Sequence, residues 1–324
     1  MKKFGDKHFA VIRSCILNTS AIECGGKTKW LFEPTLSGDK MIKLLITDLD
    51  DTLYSWIGFF IPAFYDMVDE LAAITGLDQG TILREYKTVH QKRGSVEYPY
   101  AALLLPSVLD AFPNHSREQL QEVLDPAFHR FNSVRKRELR LFPHVKETLE
   151  QLYKNNIRIV AYTESAEENG YYRLEKLGIR SFFADIYVSG SEFSKAPDRA
   201  MPPKTKTAYG KKPNSGLLFQ ILGEEHVKPD EAIYIGDSLT KDIYMAKKAG
   251  IASIHCKYPP RPDADELYQK LVAISSWTEL DFKRELELKE ECAREHIHPD
   301  YVIHSFDEVT NIIESINKER HDGT

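Results

Sequence analysis

The stretch MIKLLITDLDDT, residues 41–52, decides the fold. Its first seven residues are mostly apolar and too few for a typical helix. Such a run suits a parallel strand that is covered on both faces. The run ends at Asp48, and the acidic segment Asp48-Leu49-Asp50-Asp51-Thr52 follows at once. If the backbone stays extended at the strand exit, Asp48 and Asp50, two residues apart, face one cavity.

Further apolar runs of strand length follow: IRIVAY, ADIYVSG, AIYIG, IASIHC and YVIHSF. Between them lie amphipathic segments of helical period. These are HVKETLEQLYKNN, ENGYYRLEKLG closed by Gly178, SGLLFQILG, and TKDIYMAKKAG closed by Gly250. Strands separated by single helices predict right-handed crossovers and a doubly wound parallel α/β sheet. That core takes residues 41–53 and 139–315. Residues 54–138 read instead as all-helical. In IGFFIPAFYDMVDELAAITG, Phe60, Phe64, Met67, Val68, Leu71 and Ala72 recur at three- and four-residue steps. Asp78 is placed to cap the next helix and Gly94 to end it. Residues 190–213, rich in Ser, Pro and Lys, read as a long loop, and 258–296 as charged helix outside the sheet. Residues 1–40 read as an N-terminal extension and 316–324 as a flexible tail.

The bulk properties narrow the class. With 324 residues the chain can bury a large core without metal or disulfide staples. A formal net charge of −6 gives no sign of nucleic-acid binding. It also means that an anionic substrate would need a local cation or basic pocket. Cys15, Cys24, Cys256 and Cys292 show no CxxC spacing, which fits a reduced, cytoplasmic protein. Arg13 interrupts the apolar stretch near the N-terminus, and the run from Ile57 to Tyr65 is far short of a membrane span.

In open α/β sheets ligands bind beyond the carboxyl ends of the strands. Four sets of reactive residues are predicted there. Asp48 offers a carboxylate nucleophile and Asp50 a group to protonate a leaving oxygen, although acidic turns after strands are common. Thr163, with the backbone N–H groups that follow from Glu164 onward, offers a grip on phosphoryl oxygens. A cap threonine is the plainer alternative. Lys212, before SGLLFQILG, offers charge balance, with Lys211 and Lys195 as rivals and a solvated lysine as the default. Asp237 and Asp242 in GDSLTKD offer hard oxygen donors for magnesium, where an acidic helix start is the bland reading. For all four bland readings to hold together, in this order and each at a strand end, would be a coincidence.

This order of motifs resembles the haloacid dehalogenase-like hydrolases, whose pattern is a strand ending DxDxT, a strand ending in Thr or Ser, a lysine before proline, and GDxxxxD. The resemblance covers roughly residues 41–257 plus YVIHSFDEV. It implies a Rossmann-like core with a helical cap at 54–138. It further implies Asp48 as nucleophile, Asp50 as acid/base, Thr163 on the phosphoryl oxygens with Thr52 and Glu164 in the same set, and Lys212 as counter-charge. Mg2+ would be held by Asp48, the Asp50 carbonyl and Asp237, with Asp242 assisting. Asp50 favours a phosphatase over a dehalogenase, because a halide leaves unprotonated and a phosphoester oxygen does not. The family often has glycine where this chain has His144.

The expected activity is therefore hydrolysis of a small phosphorylated metabolite through an aspartyl phosphate. The alternatives are phosphoryl transfer, as in sugar phosphomutases, and a scaffold that has lost catalysis. His90, Arg93, Glu97, Tyr98 and Tyr100 stand near a cap turn, either facing the site or as ordinary surface residues, the latter being the default. His296 and His298 form an HxH with no further ligand close in sequence. Substrate identity and oligomeric state stay open.

Overall fold

The computed structural model describes residues 41–189, 205–208 and 210–322. The expected N-terminal extension, and the rival Lys195, lie outside these residues. Among these residues seven strands form one sheet: β1 (Leu44–Thr47), β2 (Arg158–Thr163), β3 (Asp185–Ser189), β4 (Thr205–Ala208), β5 (Ala232–Gly236), β6 (Ala252–Cys256) and β7 (Tyr301–Ile303). The order is β4-β3-β2-β1-β5-β6-β7, and every pair is parallel. The doubly wound α/β reading is correct.

β1 is buried along its whole length because both sheet faces are covered. Leu44 and Ile46 pack with Val160, Tyr162 and Tyr234 against Leu217, Leu218 and Ile221 of α7 (Ser215–Glu224) and Met245 of α8 (Tyr244–Lys248). Leu45 points the other way, with Ile159, Ala161 and Ile233, into a larger core. That core takes in α5 (Val145–Lys154), α6 (Glu167–Lys176) and α11 (Glu308–Asp322). The chain runs from β1 outward through β2, β3 and β4, then returns to β5 on the opposite side of β1. The order therefore reverses at β1, and the crevice at such a reversal is where open α/β sheets bind ligands.

Between β1 and α5 come α1 (Trp56–Thr75), α2 (Gln79–Arg93), a two-turn 3-10 segment Pro99–Leu104, α3 (Pro106–Ala111) and α4 (Arg117–Glu138). Ser55 caps α1 by accepting from the Gly58 N–H at 3.2 Å, and Asp78 caps α2 by accepting from the Thr81 N–H at 2.9 Å. Gly94 ends α2 at φ 69°, in the left-handed region. α1 and α4 pack through Phe60 and Phe131, whose rings meet edge-on at 5.8 Å.

Two departures from the sequence reading stand out, while the helical reading of 258–296 agrees with the structure. The expected loop at 190–213 contains β4, which pairs with β3 from Ile186↔Thr205 onward. An edge strand is held by backbone bonds on one side only, so TKTA needs no apolar run to form. The expected tail is helix: α11 continues to Asp322, with Ile316 buried. Residues 258–296 form two helices, α9 (Ala264–Ile274) and α10 (Glu279–Arg294), between β6 and β7. α9 packs on α1 and α2. Its carboxyl end accepts from Lys87 Nζ at Val272 O (3.1 Å) and from His90 Nδ1 at Ile274 O (2.8 Å). α10 packs on the turn after β5, where Thr240 donates to Glu285 at 3.0 Å.

His144 adopts φ 64° immediately before α5. Glycine reaches that conformation without strain, which accounts for its frequency there in the family the sequence resembles.

Candidate active site

Asp48 follows the last residue of β1, Thr163 ends β2, and Asp237 follows β5. These are the central strand and its two neighbours. Parallel pairing puts their carboxyl ends side by side, so residues distant in sequence meet at one edge. The Asp48 N–H donates to Ile235 O at 2.9 Å, which continues the β1–β5 ladder up to Asp48.

Lys212 joins the set from the residues before α7. Its Nζ donates to Asp48 Oδ1 at 2.5 Å and to Asp242 Oδ1 at 2.8 Å. The side chain is buried, with its ammonium 4.8 Å from the Tyr162 ring centre. Lys211 is exposed. Asp242 is 2 % exposed and fully engaged: Tyr234 Oη also donates to Oδ1, at 2.9 Å, and the Ser238 N–H donates to Oδ2 at 3.1 Å. Its carboxyl group packs directly on Gly236, where an added Cβ would lie 2.5 Å from Asp242 Cγ. A wide turn, Leu239–Ile243, carries Asp242 back under the strand end.

Oxygen atoms of Asp48, Asp237 and Asp242 lie within 4.8 Å of one another. All are hard donors, the type magnesium selects, and Mg2+ takes few protein ligands. Burial pushes the Asp48 carboxyl well above its ordinary pKa; Lys212 opposes this, and Asp242, Asp237 and Asp50 add to it. Asp237 reaches solvent but is ringed by protein, and that desolvation, followed by Asp242 and Asp51, raises it too. Asp51 is pushed up to about 7, first by burial and then by Asp50, although the Trp56 N–H bonds to it at 2.9 Å. Burial works against the Lys212 charge, yet Asp242 and Asp48 outweigh it and raise its pKa. One ammonium faces more carboxylate than it can balance, so a divalent cation fits this donor set.

Asp50 is turned to other neighbours. Ser165 Oγ donates to its Oδ2 at 2.6 Å, and Arg173 Nη1 donates to its Oδ1 at 2.9 Å. The two acidic side chains of the motif thus sit in different surroundings, Asp48 against an ammonium and Asp50 against a guanidinium and a hydroxyl.

The remaining expected residues take positions of their own. Thr52 is fully buried and its hydroxyl lies 3.3 Å from Asp48 Oδ2, so it holds Asp48 and does not line the cleft. Thr163 is buried at the end of β2 and accepts from the Ser165 N–H at 3.0 Å. The Glu164 carboxylate accepts from the Lys212 N–H at 3.1 Å and from Lys241 Nζ at 2.9 Å. It fixes two basic residues. Of the residues near the cap turn, Glu97 reaches this region, through Arg173 and Asn169. His90 is buried against α9, the Arg93 guanidinium lies 3.6 Å over the Tyr98 ring, and the Tyr100 ring meets that of Phe128 at a tilt of 43°.

Sequence reasoning missed Arg173 and Lys241. Lys241 lies inside GDSLTKD and was passed over for the acids beside it. A signal for Arg173 existed: Gly170, Arg173 and Leu174 form the buried stripe of α6, so an arginine occupies a core-facing position.

Residues 42–250 match the family model of the haloacid dehalogenase-like hydrolases. The chain is 26% identical over 234 residues to the glyceraldehyde 3-phosphate phosphatase of Methanopyrus kandleri, covering 69% of this chain and 91% of that protein. It is 24% identical over 220 residues to the phosphoglycolate phosphatase of Vibrio vulnificus, covering 67% and 84%. Among solved structures it is similar to the 2-haloacid dehalogenase of Pseudomonas syringae pv. Tomato, at 22% identity and TM-score 0.49, over 85% of this chain and 99% of that one.

Proposed function

Because this chain belongs to the haloacid dehalogenase-like hydrolases and is a phosphatase of that family, we propose that it hydrolyses a small phosphomonoester with Mg2+, through an aspartyl phosphate on Asp48. The observation that carries this reading is the Lys212 ammonium between Asp48 and Asp242, with Asp237 beside them. A carboxylate so placed is desolvated and oriented, with cationic charge close by for an incoming phosphoryl group.

Asp48 attacks phosphorus as the ester oxygen departs, and the departing oxygen takes a proton from Asp50. Asp50, now ionised, removes a proton from water as the water attacks the phosphoaspartate. Inorganic phosphate leaves and both side chains return to their starting states. Lys212 would neutralise the phosphoryl oxygens and the Thr163 hydroxyl would donate to them. Thr52 keeps Asp48 from rotating. Asp48, the Asp50 carbonyl and Asp237 would hold Mg2+, and Asp242 would act by steadying Lys212. When bound, the ion supplies positive charge to the phosphoryl oxygens.

A small substrate fits the relatives, which are named for glyceraldehyde 3-phosphate and phosphoglycolate. The test is phosphate release from a panel of phosphorylated metabolites and 4-nitrophenyl phosphate, with Mg2+ or with EDTA. Mg2+-dependent release that Asp48→Asn abolishes is the expected result. Release by the Asn variant, or none from any ester by the wild type, would refute it.

A further inference from the structure

Asp50 is not left to find its own orientation. Arg173 Nη1 donates to Asp50 Oδ1 at 2.9 Å and to Ser165 Oγ at 2.8 Å, while Ser165 Oγ donates to Asp50 Oδ2 at 2.6 Å. The three side chains close a ring that fixes both carboxyl oxygens. A carboxylate has about four lone-pair directions, so each oxygen keeps one for a leaving group or water.

The guanidinium is itself held from the other side. Arg173 is 4 % exposed, and its Nη2 donates to the Glu97 carboxylate. Glu97 also accepts from Trp56 Nε1 and Asn169 Nδ2, and the Phe59 ring centre lies 5.1 Å from the guanidinium carbon. Glu97 belongs to the segment after α2, whereas Arg173, Ser165 and Asn169 belong to the core that follows β2. A planar guanidinium with two rows of donors can bridge two carboxylates in fixed directions; an ammonium cannot.

We propose that Arg173 is a positioning residue for Asp50, and that Glu97, contributed by the helical segment between β1 and β2, is the anchor that keeps Arg173 in place. The proposal rests on the reading of Asp50 as acid/base. It goes beyond that reading by making proton transfer depend on a residue whose hydrogen bonds run to Asp50, Ser165 and Glu97. Proton transfer requires the carboxyl within hydrogen-bond reach of the departing oxygen. A free Asp50 could rotate about its side-chain bonds and miss.

Leaving groups that need a proton separate this role from a merely structural one. An alkyl phosphate needs Asp50 to protonate its oxygen, whereas 4-nitrophenolate leaves with little help. Arg173→Lys should therefore lower kcat/KM, which covers only the steps up to formation of the phosphoaspartate, by about 100-fold on an alkyl phosphate, within the range of general acid catalysis. On 4-nitrophenyl phosphate kcat/KM should change far less, while kcat, which includes the water attack that needs Asp50 for every ester, should fall for both. Glu97→Gln should give the same pattern more weakly, and it answers the same question if Arg173→Lys does not fold. Asp50→Asn, measured alongside, calibrates the pattern. If it spares kcat/KM on the activated ester while both other variants lower kcat/KM on the two substrates by equal factors, the positioning role is wrong and the acid/base reading stands. If Asp50→Asn itself shows no leaving-group dependence, the acid/base reading falls and takes the positioning role with it.

Discussion

Lys212 Nζ lies 2.5 Å from Asp48 Oδ1, although the two residues are 164 positions apart in sequence. The same ammonium reaches Asp242 at 2.8 Å. The contact depends on β1 and β5 being neighbours and on α7 starting beside them.

Lys212→Met keeps the apolar stem and removes the charge. Two buried carboxylates would lose their cation, and breaking a buried charge set typically costs roughly 3–5 kcal/mol. Turnover should fall by about 100-fold or more, as when one preorganised charge donor is removed from a reacting centre. Urea unfolding and steady-state kinetics, both with Mg2+, measure the two effects. Near-native turnover in the variant would remove Lys212 from the mechanism.

Gly236→Ala tests how tightly the turn after β5 is packed. The new methyl would lie 2.5 Å from both Asp242 Cγ and Oδ2. Asp242 cannot easily move, because Lys212, Tyr234 and the Ser238 N–H all hold it. Overpacking of this kind costs about 1–3 kcal/mol, and the displaced Asp242 should release Lys212, with a loss of activity larger than the loss of stability. A variant as stable and active as the wild type would show that the turn has room.

Much of this arrangement was legible in the sequence, because a parallel strand covered on both faces leaves an apolar run, and MIKLLIT, IRIVAY and AIYIG are such runs. The acids follow them directly, so strand ends and candidate residues came together. Spacing, one helix and one strand before Asp237, favoured Lys212 over Lys195, and the Lys212 ammonium meets Asp48. β4 was hidden because TKTA is polar and pairs only through its backbone. α9 buries Leu267, Leu271 and Ile274 in the core shared with α1 and α2, and the Val272 and Ile274 carbonyls accept from Lys87 and His90 of α2; the apolar spacing of α9 does not say which helices it meets. Arg173 was overlooked because an arginine in an amphipathic helix normally faces water.

Magnesium should stabilise the fold as well as support activity. Asp48, Asp237 and Asp242 repel one another across less than 4.8 Å, and a bound cation would turn that repulsion into attraction. Melting temperature should rise with Mg2+ concentration, since a ligand that binds only the native state stabilises by mass action. Asp237→Asn should behave in the opposite sense: more stable than wild type in EDTA, because one like charge is gone, and insensitive to Mg2+. Calorimetry in the two conditions reads this without any substrate. An unchanged Mg2+ response in the variant would remove Asp237 from the ligand set.

The final prediction concerns acid stability at the contact between α2 and α9. His90 is fully buried, and its Nδ1 lies 2.8 Å from the carbonyl of Ile274, so Nδ1 carries the proton in the neutral ring. Nε2 is buried with no hydrogen-bond partner among the described residues. Burial lowers the His90 pKa to about 4; the Ile274 carbonyl opposes the shift and Arg93 reinforces it. As pH falls below the ordinary histidine value of about 6.5, the unfolded chain takes up a proton that the native state refuses. Stability is therefore complete above that value, declines between it and about 4, and declines no further from this group below. At 1.36 kcal/mol per pKa unit, the full loss is roughly 3 kcal/mol. His90→Asn keeps a donor near Ile274 and removes the titration. The stability difference between wild type and variant, followed by urea unfolding from pH 7 to pH 4, should change in the variant's favour as pH falls. A difference that stays constant across this interval would show that His90 can be protonated in place, and that the α2–α9 contact admits water.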